Sequence, residues 1–218
     1  MSLRKRFFAA TYDKMIAKAE AGGLTAMRHD LLAQARGDVL ETGSGTGLNL
    51  GHYTSAVTSL TLTEPDPHML RKLQARVATQ PSPTVVRNVK IVDAPAEDLP
   101  FEDASFDVVV ATLVLCGVDD QAKALAEARR VLRPDGTLLF LEHVRDEDDK
   151  TGRHQDHMDW LNRAVVGCHC NRRTADAMTG AGFAIGSLEH TTLPHAPKFA
   201  QPSIVGTASL KADASVTP

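Results

Sequence analysis

The sequence of 218 residues predicts an α/β fold with a doubly wound, mostly parallel seven-stranded sheet. Three observations lead to this prediction: seven short apolar runs typical of strands, helical stretches that alternate with the early runs, and a glycine-rich loop directly after the first run. Strands that alternate with helices pair in parallel through right-handed crossovers, and this connectivity places helices on both faces of the sheet.

The strand-like runs are rich in Val, Leu, Ile and Thr. They span residues 37–42, 57–64, 88–94, 106–115, 136–143, 183–190 and 203–210. Apolar residues recur at helical spacing over 66–79 and 120–132, and the tetrapeptide Arg-Pro-Asp-Gly should end the second helix and turn the chain into the next strand. Only a short connection without helical pattern joins the last two runs, so we expect an antiparallel closing hairpin. We expect the small, polar tail after about residue 210 to fray.

Composition excludes several classes of protein. A net charge of -3 argues against a nucleic-acid partner, because phosphate contacts need clustered Lys and Arg. No apolar run reaches the roughly 18 residues of a membrane span, and the first residues lack a secretory signal, so we expect a cytosolic protein. The basic first helix with Phe7 and Phe8 leaves contact with a membrane surface open, beside its reading as a lid over the active site. The sequence does not determine the oligomeric state.

The glycine-rich loop identifies the class of ligand. Gly43, Gly45 and Gly47 follow the first strand, and we expect them to open the first core helix at the carboxyl edge of the sheet, where such folds bind ligands. A phosphate-binding P-loop needs Lys followed by Ser or Thr, whereas Leu48 and Asn49 stand here. A dinucleotide fingerprint needs glycine where Leu48 stands. Neither phosphate ligand fits the spacing.

Two carboxylates point to a different nucleoside. Glu41, two residues before the loop, would repel a pyrophosphate but suit a cationic group. Glu64 ends the second strand about 20 residues beyond the loop, where a carboxylate accepts hydrogen bonds from both ribose hydroxyls. A ribose with a positive group and no phosphate indicates S-adenosylmethionine.

Four segments in the same order resemble the successive motifs of class I S-adenosylmethionine-dependent methyltransferases. They are VLETGSGTGLNL (39–50), TEPDPHML (63–70), AEDLPFEDASFDVVV (96–110) and EARRVLRPDGTLLFLEHV (127–144). The chain is most similar to the methyltransferase-like-seven branch, which includes thiol methyltransferases and small bacterial enzymes. The residues that match this branch are Leu113 to Cys116, Leu141 to Val144, Trp160, Gly167, Cys168, Asn171 and Arg172. The resemblance extends from about residue 10 to 210 and implies the Rossmann-like methyltransferase fold.

The resemblance also implies which residues bind the cofactor. Those expected around the methionine and ribose parts are Tyr12, Glu41, Gly43, Ser44, Gly45, Gly47, Asn49, Glu64 and Leu113. Those expected around adenine are Pro65, Met69, Ala96 and Glu97. Many relatives have Asp where this chain has Pro95, so either backbone groups or Asp93 would have to read the adenine. Core packing is the alternative role of Met69 and Leu113.

The acceptor side is expected where the fifth strand ends, at Glu142 and His143. Methyl transfer is an in-line displacement, so the protein supplies alignment and, for a hydroxyl acceptor, a base. We expect His143 to take the proton or to position the acceptor. In the polar segment that follows, helical spacing places His154 beside His157, and Asp156 beside Trp160, so that one helix face presents imidazole and carboxylate to a cleft. Glu142 and His157 complete the catalytic candidates.

Several functions are compatible with this site. The polar character of residues 142–173 favours O-methylation of a small hydroxylated metabolite such as a sugar or polyketide. Thiol S-methylation and a non-catalytic cofactor-binding protein are the alternatives. The spacing of His154, His157, Cys168 and Cys170 matches no familiar zinc pattern, and the resemblance predicts no metal. A magnesium ion held by carboxylates such as Glu142 or Asp156 stays open without being indicated.

These expectations divide a single methyltransferase domain, 1–218, into four parts. They are an N-terminal helical lid (1–36), a cofactor-binding core (37–143), an acceptor-site insertion (144–181) and a closing hairpin (182–210).

Overall fold

A computed structural model describes residues 3–79 and 88–211, so most of the predicted tail lies outside the described residues. Seven strands form one sheet in the order β3-β2-β1-β4-β5-β7-β6. They are β1 (Gly37–Thr42), β2 (Val57–Thr63), β3 (Val89–Val92), β4 (Phe106–Thr112), β5 (Leu132–His143), β6 (Phe183–Thr192) and β7 (Pro202–Leu210). The predicted fold class is confirmed.

The first five strands pair in parallel, and the last two form the predicted hairpin. Strand β7 lies antiparallel to both β5 and β6, so the hairpin enters the sheet with its second strand innermost. Because the parallel strands all end at the same edge, the loops after β1, β2, β4 and β5 meet there. That edge carries the candidate site.

Six α-helices accompany the sheet within the described residues. They are α1 (Leu3–Ala19), α2 (Thr25–Leu32), α3 (Pro67–Thr79), α4 (Gln121–Val131), α5 (Asp149–Val165) and α6 (Thr174–Gly180). A kink at Gly23, whose φ is 132°, separates α1 from α2. None of the helices in the described part of the chain is long and apolar enough to cross a membrane.

Strands β1, β4 and β5 contribute side chains to two hydrophobic cores, because successive residues of a strand point to opposite faces. In β5, Leu138 and Phe140 pack on one face with α4 and α6, while Leu139 and Leu141 pack on the other with α2 and α3. These strands are therefore continuous apolar runs rather than alternating ones, as expected for a sheet covered on both sides.

Three boundaries differ from the sequence prediction. The glycine loop opens no α-helix, and between β1 and β2 the described chain makes only turns and a 3₁₀ turn at Leu50–His52. Strand β4 ends at Thr112, three residues early, because Leu113 turns the backbone with a φ of 57° and the amides of Val114 and Leu115 bond to a buried carboxylate. Strand β5 already begins at Leu132, and the Arg-Pro-Asp-Gly segment forms an irregularity within it, between the pairs Phe106–Leu132 and Val108–Thr137.

The predicted orientation of α5 is wrong. Its buried residues are Gly152, Gln155 and Asn162, whereas His157 and Trp160 face outward and Trp160 is 70% exposed. The reason is Gln155, whose amide donates to the carbonyl oxygens of Val144, Cys170 and Phe199. Hydrogen bonds to three backbone carbonyl groups thus determine which face of α5 is buried. The spacing of apolar residues does not predict these bonds.

Candidate active site

The loop after β1 is shaped by three glycines in the left-handed region. Gly43, Gly45 and Gly47 have φ values of 58°, 57° and 81°, which L side chains rarely adopt. A Cβ atom on Gly43 would lie 2.1 Å from Cγ2 of Val114, and one on Gly47 would lie 2.7 Å from Cδ1 of Leu73. A Cβ on Gly45 would meet nothing within 4 Å. Two of the glycines therefore allow close packing, and Gly45 faces open space.

That open space belongs to a cleft between this loop, the end of β4 and the first two helices. Its lining residues are Tyr12, Arg28, Glu41, Gly43, Ser44, Gly45, Thr46, Leu48, Asn49, Thr112 and Leu113. Seven of the residues predicted to hold the methionine end of the cofactor are among them. The structure thus brings together residues that are as far apart in sequence as Tyr12 and Leu113, which are 101 positions apart.

Glu41 is the buried acid of the cleft. Its Oε2 accepts a hydrogen bond of 2.5 Å from the hydroxyl of Tyr53. Removal from water raises the pKa of Glu41 from 4.5 to about 7, because burial penalises the charged form more than the nearby donors favour it. A cationic group in the cleft would favour the ionised carboxylate.

Glu64 lies at the end of β2 with both oxygens already oriented by the backbone. Its Oε2 accepts from the N–H of Gly45 at 2.9 Å, and its Oε1 accepts from the N–H of Asp66 at 2.8 Å. Burial raises the pKa of this carboxyl. Each oxygen keeps a further lone pair, so the carboxylate is held in place beside the glycine loop and can still accept from a ligand.

Arg28 is a lining residue that sequence reasoning missed. Its side chain is almost completely buried, and its Nη1 donates to Asn49 Oδ1 at 2.8 Å and toward Thr112 Oγ1 at 3.4 Å. Its Nε lies 3.0 Å from Oε1 of Glu20, with which it forms an ion pair. A signal was available, since Arg28 lies four residues after Leu24 and three before Leu31, on the apolar face of α2. A charge at such a position usually has a partner or a function.

Helix α1 closes one side of the cleft. Tyr12 lines it, and burial raises the pKa of that hydroxyl to about 12. The next residue, Asp13, accepts from Thr46 Oγ1 at 2.6 Å and from Arg76 at 3.4 Å. These bonds join the first helix to the glycine loop and to α3.

The other predicted cofactor residues lie outside this cleft. Gly47 packs against α3, Met69 is buried within that helix, and Pro65 is exposed after β2. Ala96 is buried, and Glu97 accepts from the amides of Asp119 and Asp120 at the start of α4. The contacts of Pro65, Met69, Ala96 and Glu97 with adenine therefore stay predictions.

Glu142 lies near the end of β5, and its buried carboxylate bonds to the turn that follows β4. Its Oε1 accepts from the N–H groups of Val114 at 3.0 Å and Leu115 at 2.9 Å, and its Oε2 accepts from that of Cys116 at 3.2 Å. Burial raises the pKa of Glu142 to about 7, against these three hydrogen bonds. The side chain predicted as a catalytic group therefore holds the backbone of residues 114–116 in place.

His143 has two cysteine side chains for neighbours. Its Nδ1 lies 3.9 Å from Cys168 Sγ, its Nε2 is buried without a hydrogen-bond partner among the described residues, and Cys116 completes a group whose ligand-type atoms lie within 4.8 Å of one another. The Cys116 thiol donates toward Cys168, which lowers the pKa of Cys168 and raises that of Cys116. His143, predicted as a catalytic residue, is thus buried at the carboxyl end of β5.

The polar residues of the predicted insertion do not converge on the cleft. His157 is exposed and its Nδ1 contacts the carbonyl oxygen of Arg153 at 2.8 Å, while His154 packs edge-on against Phe199. Cys170 is buried and its thiol faces the carbonyl oxygen of Gln155. Among the described residues, only Cys116, His143 and Cys168 form a group suited to a metal ion. The histidine and cysteine pairs considered from spacing are not brought together.

Comparison with known sequences agrees with this geometry. A family model described as a methyltransferase domain matches residues 40–140. The human thiol S-methyltransferase TMT1A is 33% identical over 174 residues, which cover 78% of this chain and 69% of the relative. The human thiol S-methyltransferase TMT1B is 42% identical over 109 residues, which cover 50% of this chain and 43% of that relative.

Comparison with solved structures concerns the fold. A protein from Thermotoga maritima, described as a SAM-dependent methyltransferase and possible histamine N-methyltransferase, superposes with a TM-score of 0.67 at 21% identity. The match covers 97% of this chain and 100% of that structure. The same arrangement of strands and helices is therefore found along nearly the whole chain.

Proposed function

This chain belongs to the class I S-adenosylmethionine-dependent methyltransferases, and we propose that it is a thiol S-methyltransferase acting on a small molecule. The observation that carries the proposal is the 33% identity to human TMT1A over 78% of the chain. From the sequence, a hydroxyl was favoured as the methyl acceptor, because residues 142–173 are polar, and a thiol was named as an alternative. We propose the thiol.

The residues of the cleft fit S-adenosylmethionine. The methionine end of that molecule carries an ammonium, a carboxylate and a sulfonium, and the cleft presents both signs of charge in Glu41 and Arg28. Gly45 offers backbone close to open space, and Glu64 stands beside it for the ribose. Bound there, the cofactor would supply an electrophilic methyl group.

The acceptor side favours an acceptor that needs little help from a base. Glu142 is occupied by three backbone amides, and His157 is exposed away from the cleft, which leaves His143 as the buried proton acceptor among the three candidates. A thiol has a pKa of about 8.5, so a few per cent of it is already the strongly nucleophilic thiolate at pH 7, whereas an aliphatic hydroxyl is not ionised in water. We therefore assign His143 to positioning the acceptor.

O-methylation of a hydroxyl is the second candidate, and one observation favours it. The buried Nε2 of His143 has no hydrogen-bond partner among the described residues, so the ring has a free position for the hydroxyl of an acceptor. A neutral imidazole there would serve as general base. If the protein methylates a hydroxyl, a sugar or polyketide is the acceptor predicted from the sequence. The cytosolic location also stays a prediction.

The test is an acceptor screen with matched pairs. The purified chain is incubated with S-adenosylmethionine and either 2-mercaptoethanol or ethylene glycol, and either thiophenol or phenol, at equal concentrations. We expect the thiol of each pair to be methylated roughly 100-fold faster or more, because general-base assistance of that order is what a hydroxyl requires. Mass spectrometry follows both the methylated acceptor and the demethylated cofactor.

The same screen contains its own controls. Incubation without an acceptor measures hydrolysis of the cofactor, and a calorimetric titration with S-adenosylmethionine shows whether the cleft is functional. Methylation of the hydroxyl compounds with no methylation of the thiols would replace the first candidate by the second. Tight cofactor binding with no turnover of any pair would contradict both and favour a non-catalytic role.

A further inference from the structure

Three side chains from separate loops meet at the carboxyl edge of the sheet. Cys116 follows β4, His143 is the last residue of β5, and Cys168 follows α5. Cys116 and His143 are buried, Cys168 is half-buried, and the possible ligand atoms all lie within 4.8 Å of one another. Two thiols and an imidazole are the donors that Zn²⁺ prefers.

The distances are close to those of a tetrahedral zinc site. With Zn–S bonds of about 2.3 Å and Zn–N bonds of about 2.0–2.1 Å, neighbouring ligand atoms stand about 3.8 Å apart for two sulfurs and about 3.6 Å for sulfur and nitrogen. Here Cys168 Sγ and His143 Nδ1 are 3.9 Å apart, and the widest separation is no more than 4.8 Å. Rotation of a cysteine side chain closes a difference of this size without moving the backbone.

The loops that carry the two cysteines are already held together. The N–H of His169 donates to the carbonyl oxygen of Cys116 at 2.8 Å, and the Cys116 N–H donates to Glu142. The amide nitrogen of Asn162 donates to the Cys168 carbonyl oxygen at 2.8 Å and to its Sγ at 3.2 Å. A hydrogen bond to sulfur is the kind of outer contact that stabilises a metal-bound thiolate.

Among the described residues, the only hydrogen-bonding contact of the His143 ring is the one between Nδ1 and Cys168 Sγ. His143 is 3% exposed, and its Nε2 has no hydrogen-bond partner among the described residues. In the neutral ring one nitrogen carries the proton and the other offers a lone pair. With the proton on Nε2, the lone pair of Nδ1 is directed to the side of the ring where Cys168 Sγ lies. Metal binding therefore requires no charged histidine.

The group adjoins the cofactor cleft. Leu113 lines the cleft, and the turn that begins there ends at Cys116, with its amides held by Glu142. A ligand bound to the cysteines would thus lie next to the region that receives the methionine end of the cofactor.

We propose that Cys116, His143 and Cys168 form a zinc site with three protein ligands, and, resting on the proposed thiol specificity, that its fourth position binds the acceptor thiolate. Three ligands and one open position are the composition of catalytic zinc sites. On binding, the acceptor S–H gives its proton to solvent. A lone pair of the acceptor sulfur then forms the bond to the methyl carbon, while the bond from that carbon to the sulfonium sulfur breaks and leaves its electron pair there.

Metal binding is tested first on the unaltered protein. The reduced chain is freed of metal by dialysis against a chelator and titrated with Co²⁺, and then with Zn²⁺ in competition. We expect one Co²⁺ per chain, the visible absorption of a tetrahedral site and a near-ultraviolet charge-transfer band from thiolate ligands, all lost when Zn²⁺ is added. Absence of stoichiometric binding or of the thiolate band would overturn the proposed site.

A pair of cysteine variants then locates the site. Cys168→Ser removes a ligand, and we expect it to weaken Zn²⁺ binding roughly 100-fold or more. Cys170→Ser changes the same atom two residues away in a thiol that faces Gln155, and we expect wild-type Zn²⁺ binding from it. Both variants are checked for folding by calorimetric binding of S-adenosylmethionine. Equal loss of metal in the two would contradict the assignment of the ligands.

The last measurement separates the metal site from the reaction. Binding of a thiol to the Co²⁺ protein should shift the charge-transfer band, whereas the matched alcohol should not. If the metal binds and no thiol shifts the band, the site exists but the role in acceptor binding is wrong. If the metal-free protein methylates thiols as fast as the metal-loaded protein, the thiol specificity stands and the zinc step is wrong.

Discussion

At the scale of single residues, Glu41 couples the cleft to pH. Burial raises its pKa from 4.5 to about 7, so the folded protein holds this proton more tightly than the unfolded chain. The stability that results is fully present below pH 4.5 and is lost as the pH rises through about 7. The change corresponds to about 3 kcal/mol in the free energy of unfolding.

Glu41→Gln should remove this dependence. The amide is neutral at every pH and its oxygen can still accept from Tyr53. We expect the variant to gain stability relative to wild type as the pH rises from about 5 to 8, by up to about 3 kcal/mol. Urea denaturation of the cofactor-free protein at several pH values measures this difference.

Glu189→Gln, an exposed change on β6, is the control for Glu41→Gln, and we expect it to show no such trend. A difference between Glu41→Gln and wild type that stays constant across this pH range would show that Glu41 does not titrate there.

Arg28 and His143 illustrate what single residues reveal in advance. His143 was identified from its place at the end of a buried strand, and it is buried there. Arg28 was missed, because it lies in a helix assigned as a lid and its partners Asn49 and Thr112 are 21 and 84 positions away. A side chain whose partners are distant in sequence has no local pattern to identify it.

At the scale of elements, the glycine loop separates packing from ligand binding. Gly43 and Gly45 have nearly the same φ, but a Cβ on Gly43 would meet Val114 whereas one on Gly45 would enter the cleft. Alanine in this backbone conformation costs about 1–2 kcal/mol at either position. Only at Gly43 does a steric clash add to it.

We therefore expect two alanine substitutions to differ in the property that they change most. Gly45→Ala should lower stability by about 1–2 kcal/mol and weaken S-adenosylmethionine binding roughly 10-fold or more, since the methyl occupies ligand space. Gly43→Ala should lower stability by about 1–3 kcal/mol more than that. Thermal unfolding and calorimetric titration measure the two quantities.

Gly180→Ala serves as the control for the loop, because it lies at the end of α6 with nothing within 4 Å of the added methyl. Cofactor affinity equal to wild type in Gly45→Ala would mean that the cofactor does not approach this side of the loop.

The bounds of strands and helices were predicted more reliably than which face of a helix is buried. Strands β1, β2, β6 and β7 and helix α3 were found near their predicted bounds, because each is a periodic or continuous apolar run. The inner face of α5 was not predicted, since Gln155 is buried by hydrogen bonds to three separate carbonyl oxygens. Likewise Glu142 binds the amides of the turn after β4, which only the pairing of β4 with β5 brings near.

At the scale of the whole molecule, the position of β7 between β5 and β6 determines how the sheet is completed. Gly206 lies where β7 passes both neighbours, and a Cβ atom there would stand 2.0 Å from the carbonyl oxygen of Ser187 and 3.0 Å from Phe140. The first contact is with backbone, so a rotamer change cannot relieve it.

Gly206→Ala should therefore destabilise the protein by about 3 kcal/mol or more. Gly186→Ala on the adjacent strand is the matched control, because its methyl would contact a side-chain hydroxyl, Thr207 Oγ1, at 3.0 Å, and we expect a loss of about 1 kcal/mol. Urea denaturation compares them. Equal stability of the two variants would indicate that β6 and β7 separate easily and that the hairpin contributes little.

By itself, the sequence determined the α/β class, the parallel core with its closing hairpin and the class of cofactor. These follow from periodicity, from the positions of three glycines and from carboxylates at strand ends, all of which act over short stretches of chain. Only the tertiary structure decided the partners of Arg28, the use of Glu142 as a backbone anchor and the meeting of Cys116, His143 and Cys168. Each of these depends on loops that strand order brings together at one edge of the sheet, and contact between distant segments is set by packing rather than by local sequence.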